Sequence, residues 1–460
     1  MTIWRPDIDG QEGPRYLAIA DALARAIDRG DLAPGDRLPT HRDLAGELGL
    51  TVGTVSRAYA EAERRGLLHG EVGRGTFVAD PGQARDGEPE GAAARSVIDL
   101  GLNLPLYTED PDLSAALAEL ARRRDLGAML NYQPFTGETR YREAGARWIA
   151  RHRLDVPTDR VIVTAGAQHA IAVALGALCR PGDIVLGEEL TYPGLKTAAS
   201  LLGLEVMPVA MDRDGLDPDD LERAARETGA RVLYTMPTLH NPTTVTMPAE
   251  RRRQIVDVAE RCDLMLVEDD VHGLLATDAP PPLASLAPER TLYVTSTSKT
   301  LAGGLRVAFV AAPAPYIDRL TFAVAASLWA LPALSLEVAA MWIADGTAVE
   351  VTGRKCDEAT ERQHLARSIL SEARYREADR SYFVWLELPA PWTTESFVRA
   401  ARELGVVVSP ADAFAAGRRE PPPAVRVSLS SPRSRDELAA GLRTLAGLLE
   451  RGPAPAPTIV

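Results

Sequence analysis

Near the N-terminus apolar residues recur at helical spacing. Tyr16, Ala20, Leu23 and Ile27 share one face and Gly30 follows as a stop, which predicts a helix from about Arg15 to Arg29. Thr40-His-Arg-Asp43 has the form of a capping start, Leu44 and Leu48 supply an inner face, and Gly49 closes a second, shorter helix. Thr51 is placed to cap a third helix, in which Val55, Tyr59 and Ala62 point inward before Gly66. Two helices separated by a tight turn have helix-turn-helix spacing. The period then changes. Leu67-Leu-His-Gly-Glu-Val-Gly-Arg-Gly-Thr-Phe-Val78 sets apolar residues on either side of a glycine-rich centre, as a two-stranded wing requires.

Ala79 to Arg95 shows no apolar period and is rich in Gly, Pro and charge, so a mobile connection is expected there. From Val97 onward helical patterns alternate with short apolar runs: Val161-Ile-Val-Thr164, Ile184-Val-Leu186, Val232-Leu-Tyr-Thr235, Leu264-Met-Leu-Val-Glu268 and Leu292-Tyr-Val-Thr295. This alternation predicts an α/β domain with a mostly parallel sheet covered by helices on both faces. The expected division is residues 1–78, a linker at 79–96, a large domain at 97–452 and a disordered tail at 453–460.

A chain of 460 residues is long for one core, which agrees with that division. Its net charge of −13 gives no bulk attraction to nucleic acid, so any DNA-binding reading rests on local pattern. Three cysteines, Cys179, Cys262 and Cys356, lack the pairing of a disulfide framework or a zinc site. The apolar stretch from Ala170 to Cys179 is too short to span a bilayer, and the opening residues lack a signal-peptide core. A cytoplasmic protein with no membrane association and no metal is expected.

Lysine is almost absent: only Lys196, Lys299 and Lys355 occur, and the other basic side chains are arginine. An arginine cannot form an imine. Lys299 stands in Thr295-Ser-Thr-Ser-Lys-Thr-Leu-Ala-Gly-Gly-Leu-Arg306, a hydroxyl-rich turn with an arginine seven residues on, and is therefore a candidate for Schiff-base chemistry with an aldehyde cofactor held by its phosphate. A surface lysine in a helix-entry loop fits the same spacing. Other strand ends also carry polar clusters, where ligands bind in open α/β sheets. Thr164-Ala-Gly-Ala-Gln-His169 opens a helix, and the amides of Gly166, Ala167 and Gln168 would present its positive end to a phosphate. Tyr192-Pro-Gly194 offers an aromatic face to a flat ring, and Asn241-Pro-Thr243 an amide to a phenolic oxygen. A carboxylate from Glu268-Asp-Asp270 would keep a pyridine nitrogen protonated and make the ring an electron sink. Each feature alone is common; their order, each at a strand end, points to one phosphate-bearing pyridine cofactor.

The N-terminal run resembles the winged helix-turn-helix of GntR-type regulators. The resemblance is carried by Gly30-Asp-Leu-Ala-Pro-Gly-Asp-Arg-Leu-Pro39, Arg42-Asp-Leu-Ala45, Thr54-Val-Ser-Arg-Ala-Tyr59 and Gly73-Arg-Gly-Thr-Phe-Val78. It implies that Arg42 and Arg57 hold DNA phosphates, that Thr51 and Thr54 meet base edges, and that Arg74 reaches from the wing. Val52 and Gly53 stand where an arginine is usual, which removes direct guanine reading from that turn. A helical dimerisation module with no DNA role is the alternative.

The large domain resembles fold-type I, aspartate-aminotransferase-like pyridoxal-phosphate enzymes, which adds a smaller C-terminal α+β subdomain to the expected fold. The resemblance implies pyridoxal 5′-phosphate with Lys299 as its Schiff-base lysine and Asp269 on the pyridine nitrogen. Asn241 would contact the ring hydroxyl and Tyr192 stack on the ring, with Gly166, Ala167, Gln168, Ser296, Ser298 and Arg306 around the phosphate. Arg426, in Val425-Arg-Val-Ser-Leu429, matches the arginine that clamps a substrate carboxylate. His272 replaces a tyrosine that shares the ring-oxygen contact; an imidazole titrates nearer physiological pH, so cofactor spectra are expected to vary with pH. Ala167 also lacks a common hydroxyl, and Gly303 stands in place of a common proline.

In this order the two parts resemble the MocR family of bacterial regulators. That implies a homodimer on a double-stranded DNA operator, sensing an amino-acid-like or amine effector through the cofactor, or sensing the cofactor itself. A catalytically active aminotransferase with an accessory winged helix is the alternative.

Overall fold

The computed structural model describes residues 4, 6, 15–33, 35–64, 67–71, 75–78, 97–123, 126–417 and 420–452. Gly66, Arg74, the expected linker at 79–96 and the expected tail at 453–460 lie outside the described residues. The chain divides into two units, Met1–Ala93 and Ala94–Val460.

In the first unit, helices α1 (Arg15–Asp28), α2 (His41–Leu48) and α3 (Val52–Arg64) precede strands β1 (Leu68–Glu71) and β2 (Gly75–Val78). The signals read from sequence act locally as expected. Thr40 Oγ1 accepts from the Asp43 amide at 3.3 Å, and Gly49 ends α2 in the left-handed region at φ 63°. Val55, Tyr59 and Ala62 of α3 share one core with Ile19, Leu23 and Leu44. The antiparallel hairpin pairs Leu68 with Val78, and both side chains join that core.

The second unit opens with β3 (Ile98–Leu100), followed by helices α4 (Leu113–Ala121) and α5 (Thr139–Ala150). Then come β4 (Val161–Thr164), α6 (Ala167–Leu178), β5 (Ile184–Glu188), α7 (Pro193–Leu201) and β6 (Glu205–Val209). A small hairpin, β7 (Met211–Asp212) and β8 (Gly215–Leu216), leads to β9 (Val232–Thr235), β10 (Met265–Asp269), β11 (Thr291–Ser296) and β12 (Ala308–Ala311). These build a seven-stranded sheet ordered β4-β12-β11-β10-β9-β5-β6, parallel throughout except that β12 runs against both neighbours. Every residue of β4, β9, β11 and β12 is buried, as expected of strands covered by helices on both faces. The reversal at β12 has a consequence for the site. An antiparallel return needs only a short connection, and residues 297–307 fold back at the C-terminal end of β11 instead of crossing over through a long helix.

A second sheet, ordered β13-β14-β16-β15-β3, combines β3 with β13 (Tyr375–Arg376), β14 (Phe383–Glu387), β15 (Val406–Pro410) and β16 (Ala424–Ser428). It forms the expected smaller α+β part and packs Leu100, Val384, Val425 and Val427 against Leu438, Leu442 and Leu445 of the last helix. No helix among the described residues is long and apolar enough to cross a membrane, and no His, Cys, Asp and Glu cluster there is placed to hold a metal ion.

Candidate functional site

The C-terminal ends of β4, β5, β9, β10 and β11 surround one cavity of about 390 Å3. Ala167, Gln168, Tyr192, Asn241, Asp269, His272, Ser296, Ser298, Lys299, Arg306 and Arg426 all line it. Residues that lie up to 259 positions apart in sequence, from Ala167 to Arg426, thus meet in one place. Gly166 sits behind the wall as the N-cap of α6.

The acidic run is sorted by the pleat of β10, which alternates side chains between faces. Glu268 accepts from the amides of Leu283 and Ala284 at 2.9 and 2.8 Å, capping a short helix. Asp270 takes the hydroxyl of Tyr293 at 2.6 Å and lies 3.0 Å from His152 Nδ1. Asp269 alone lines the cavity, where Tyr234 donates to its Oδ2 at 2.7 Å and the Val271 amide to its Oδ1 at 3.3 Å. Burial lifts the Asp269 carboxyl to about 6, with the Tyr234 hydrogen bond opposing the rise.

Lys299 leaves the end of β11 in the returning loop, and its Nζ donates to the carbonyl of Asn103. Burial first, then the nearby guanidinium groups of Arg426 and Arg306, pull its ammonium down to about 7. A substantial fraction of this amine is therefore neutral near pH 7, the form that attacks an aldehyde. Arg306 takes a left-handed backbone, φ 54°, at the far end of the same loop. Its guanidinium lies where a Cβ on Gly166 would be, and Gly166 itself has φ 88°. Only glycine lets the arginine approach the N-terminus of α6 so closely. Similarly, a Cβ at Gly194 would collide with Gln168 Oε1 and the Tyr192 ring, and Gln168 Nε2 donates to the Gly194 carbonyl at 2.8 Å.

Arg426 projects from β16 and is 7% exposed. Its Nη1 donates to Asn241 Oδ1 at 2.8 Å and its Nη2 to the Gly101 carbonyl at 2.6 Å, while the rings of Phe383 and Phe414 flank it at 5.6 and 4.9 Å. Ser298 Oγ and Arg426 Nε are among five buried polar atoms of cavity-lining residues that have no partner among the described residues. A phosphate at the α6 end and an anion at Arg426 would satisfy them, and the acid, amine and aromatic ring between them fit a pyridine aldehyde.

One expectation is corrected. His272 lines the cavity, but burial, then the charges of Lys299 and Arg426, hold its imidazole well below the ordinary histidine range. It stays neutral at physiological pH, so pH-dependent cofactor spectra do not follow from its titration. Sequence reasoning also missed Tyr234, Asn103, Ser409 and Phe414. Tyr234 stood in an apolar strand run, where a hydroxyl is the one visible signal; Asn103, Ser409 and Phe414 reach the cavity only through the second sheet and its loops.

In the first unit Arg42, Thr51 and Arg57 are exposed and Thr54 half-buried. Thr51 and Thr54 hydroxyls meet at 2.9 Å at the start of α3, and Thr51 Oγ1 also accepts from the Thr54 amide at 3.2 Å. Val52 is 44% exposed beside them.

Residues 95–444 match the family of class I and II aminotransferases, and residues 15–78 match the gntR family of bacterial regulatory proteins. The chain is similar to the HTH-type transcriptional regulator YdeF of Bacillus subtilis, 33% identical over 447 residues that cover 97% of each chain. It is 28% identical over 468 residues to the HTH-type transcriptional regulator TauR of Rhodobacter capsulatus, covering 92% of this chain and 94% of that one. Among solved structures, the α-aminoadipate aminotransferase LysN of Thermus thermophilus, complexed with N-(5′-phosphopyridoxyl)-L-leucine, has a TM-score of 0.70 at 27% identity, covering 77% of this chain and 92% of that one.

Proposed function

Since this chain belongs to the class I and II aminotransferase family and carries a gntR-family domain ahead of it, the MocR-type arrangement, we propose that it is a transcriptional regulator whose large unit senses pyridoxal 5′-phosphate or an amino compound bound with it. The observation that carries the reading is Lys299: an amine drawn down to about 7 by burial and two guanidinium groups, in the cavity that Asp269 shares. When bound, pyridoxal 5′-phosphate supplies an aldehyde for covalent linkage to an amine and a ring that draws electron density from it.

The chain's own residues then have distinct tasks. Asp269, held by Tyr234, would meet the ring nitrogen. Tyr192 would cover the ring face, with Asn241 and neutral His272 at the ring oxygen. Gly166, Ala167, Gln168, Ser296, Ser298 and Arg306 would hold the phosphate at the N-terminus of α6. Arg426 would bind a ligand carboxylate. In the first unit, Arg42 and Arg57 would hold operator phosphates and Thr51 and Thr54 approach base edges; Arg74 is assigned to the wing on resemblance alone. A ligand shifts operator binding only by its differential affinity for the two arrangements of the protein. A homodimer would present two winged helices to a repeated or palindromic site in the cytoplasm. Leu130, Tyr132 and Phe322, 90%, 82% and 75% exposed, offer apolar surface for a second copy. The division at 1–78, 79–96, 97–452 and 453–460 is part of the same proposal.

Purified protein is expected to show the absorption of bound cofactor, and borohydride reduction followed by peptide mass analysis to find it on Lys299. Affinity for a duplex selected from a random library should change when the cofactor or an amine is added. Lys299→Ala with unchanged absorption and unchanged DNA response would refute the reading. Repeated turnover of amino acid and oxo acid would instead favour an active aminotransferase.

A further inference from the structure

We propose that the start of α3 selects thymine: Val52 packs on the C5-methyl group of a thymine in the major groove of the operator. This rests on the reading of the first unit as a DNA-binding winged helix and names a base that its helix start reads.

A helix-turn-helix sets the N-terminal residues of its second helix against base edges. In α3 that helix begins at Val52, and Val55, Ala58, Tyr59 and Ala62 turn one face into the core. At 3.6 residues per turn the opposite face starts at Gly53 and continues through Arg57 and Ala60, all three exposed. Val52 stands beside that line in the first turn. It is 44% exposed and is not among the described residues packed in the core of this unit. The helix start does not need its side chain, since Thr51 supplies the local hydrogen bonds: its Oγ1 accepts from the Thr54 amide at 3.2 Å and meets the Thr54 hydroxyl at 2.9 Å.

Gly53 makes room for the contact. A Cβ there would meet nothing closer than Thr51 Oγ1 at 3.9 Å, so the position faces open space. With only hydrogen on that residue, the first turn can approach the groove floor until Val52 touches a base. The exposed Arg42 and Arg57, assigned above to phosphates, would hold the helix at that depth.

The chemistry of the groove then chooses the base. Every base presents donors or acceptors in the major groove, and thymine alone adds a methyl group. The isopropyl group of Val52 has neither donor nor acceptor. Against guanine, adenine or cytosine it would strip water from a polar edge and replace nothing. Against thymine it buries a methyl group, which stabilises the complex.

The test uses the full-length protein and the duplex selected from a random library. Each thymine is replaced in turn by deoxyuridine, which removes the C5-methyl group and leaves base pairing and the polar edge intact. At one thymine position the parent protein is expected to lose roughly fourfold in affinity, the value of one buried methyl group. In Val52→Ala the loss at that position should shrink below roughly twofold, while the other positions respond as in the parent. A selected site with no methyl-sensitive thymine overturns the proposal. So does a loss that persists unchanged in Val52→Ala, which would assign the methyl contact to another residue. Both outcomes leave the DNA-binding reading intact, whereas failure to select any duplex overturns that reading and this inference with it. Gly53→Arg, for which the open position leaves space, is expected in a fresh selection to add a guanine preference beside that thymine. Return of the parent site unchanged would place the start of α3 away from base edges and overturn the proposal as well.

Discussion

Asp269→Asn is expected to stabilise the protein stripped of cofactor while removing the carboxylate proposed to face the ring nitrogen. Asp269 is 1% exposed, and burial raises its carboxyl from 3.8 to about 6. A carboxyl whose folded value exceeds its unfolded one stabilises the fold when protonated, and that contribution is lost as pH rises from about 4 through about 6. Above that window the ionised group costs the fold about 3 kcal/mol, at about 1.36 kcal/mol for each pH unit separating the two values. At pH 5 the loss is only partial, roughly half of that. Asparagine does not titrate and still offers its one oxygen to the Tyr234 hydroxyl, giving up the long 3.3 Å bond from the Val271 amide equally at both pH values. The variant should therefore exceed its parent by about 3 kcal/mol at pH 8 and by roughly half as much at pH 5. Glu268, lifted to about 7 by burial, is present in both proteins and cancels. Glu188, lifted to about 7 by burial and further by the Asp269 charge, is relieved of that charge in the variant, which adds to the gain at pH 8. Urea denaturation at the two pH values measures the difference. An equal gain at both, or a loss at pH 8, would refute the claim that desolvation dominates this carboxylate.

Gly166→Ala forces a side chain onto a backbone at φ 88° and into the Arg306 guanidinium, so it should lower stability by about 1–3 kcal/mol and weaken pyridoxal-phosphate binding. Gly229→Ala, at φ 66° with nothing within 4 Å, should cost about 1 kcal/mol and leave cofactor affinity alone; equal affinities in the two variants would remove Gly166 from the phosphate site. Tyr234→Phe removes the hydrogen bond that lowers the Asp269 value, so the pH midpoint of cofactor retention should move upward, and an unmoved midpoint would show that Tyr234 does not hold the charge. Arg42→Ala and Arg57→Ala should each reduce the slope of log affinity for DNA against log salt by about one, measured by fluorescence anisotropy; unchanged slopes would exclude phosphate contacts.

The helices of the first unit were legible because caps and stops act within a few residues: Thr40 and Gly49 bound α2 as the sequence predicts. Five strands of the larger sheet were legible as apolar runs. The other two were not, for local reasons. β6 is an edge strand that carries Glu205 and Pro208, and β12 is a four-residue run with alanine at both ends, so neither has the composition of a central strand. The second sheet was expected from the resemblance alone and not from any apolar run, because it joins β3 to strands more than 270 residues away.

By itself the sequence determined which chemical groups stand at which strand ends, since strand period and turn chemistry are local properties. It supplied one lysine, one acidic run and one phosphate turn in the right order. Tertiary structure decided which of three adjacent acids faces the cavity, which tyrosine restrains it, and that His272 is too deeply buried to act as a pH sensor. It also decided that Arg426 meets only neutral acceptors. Those outcomes depend on burial and on distances between residues far apart in the chain, and packing, not periodicity, sets both.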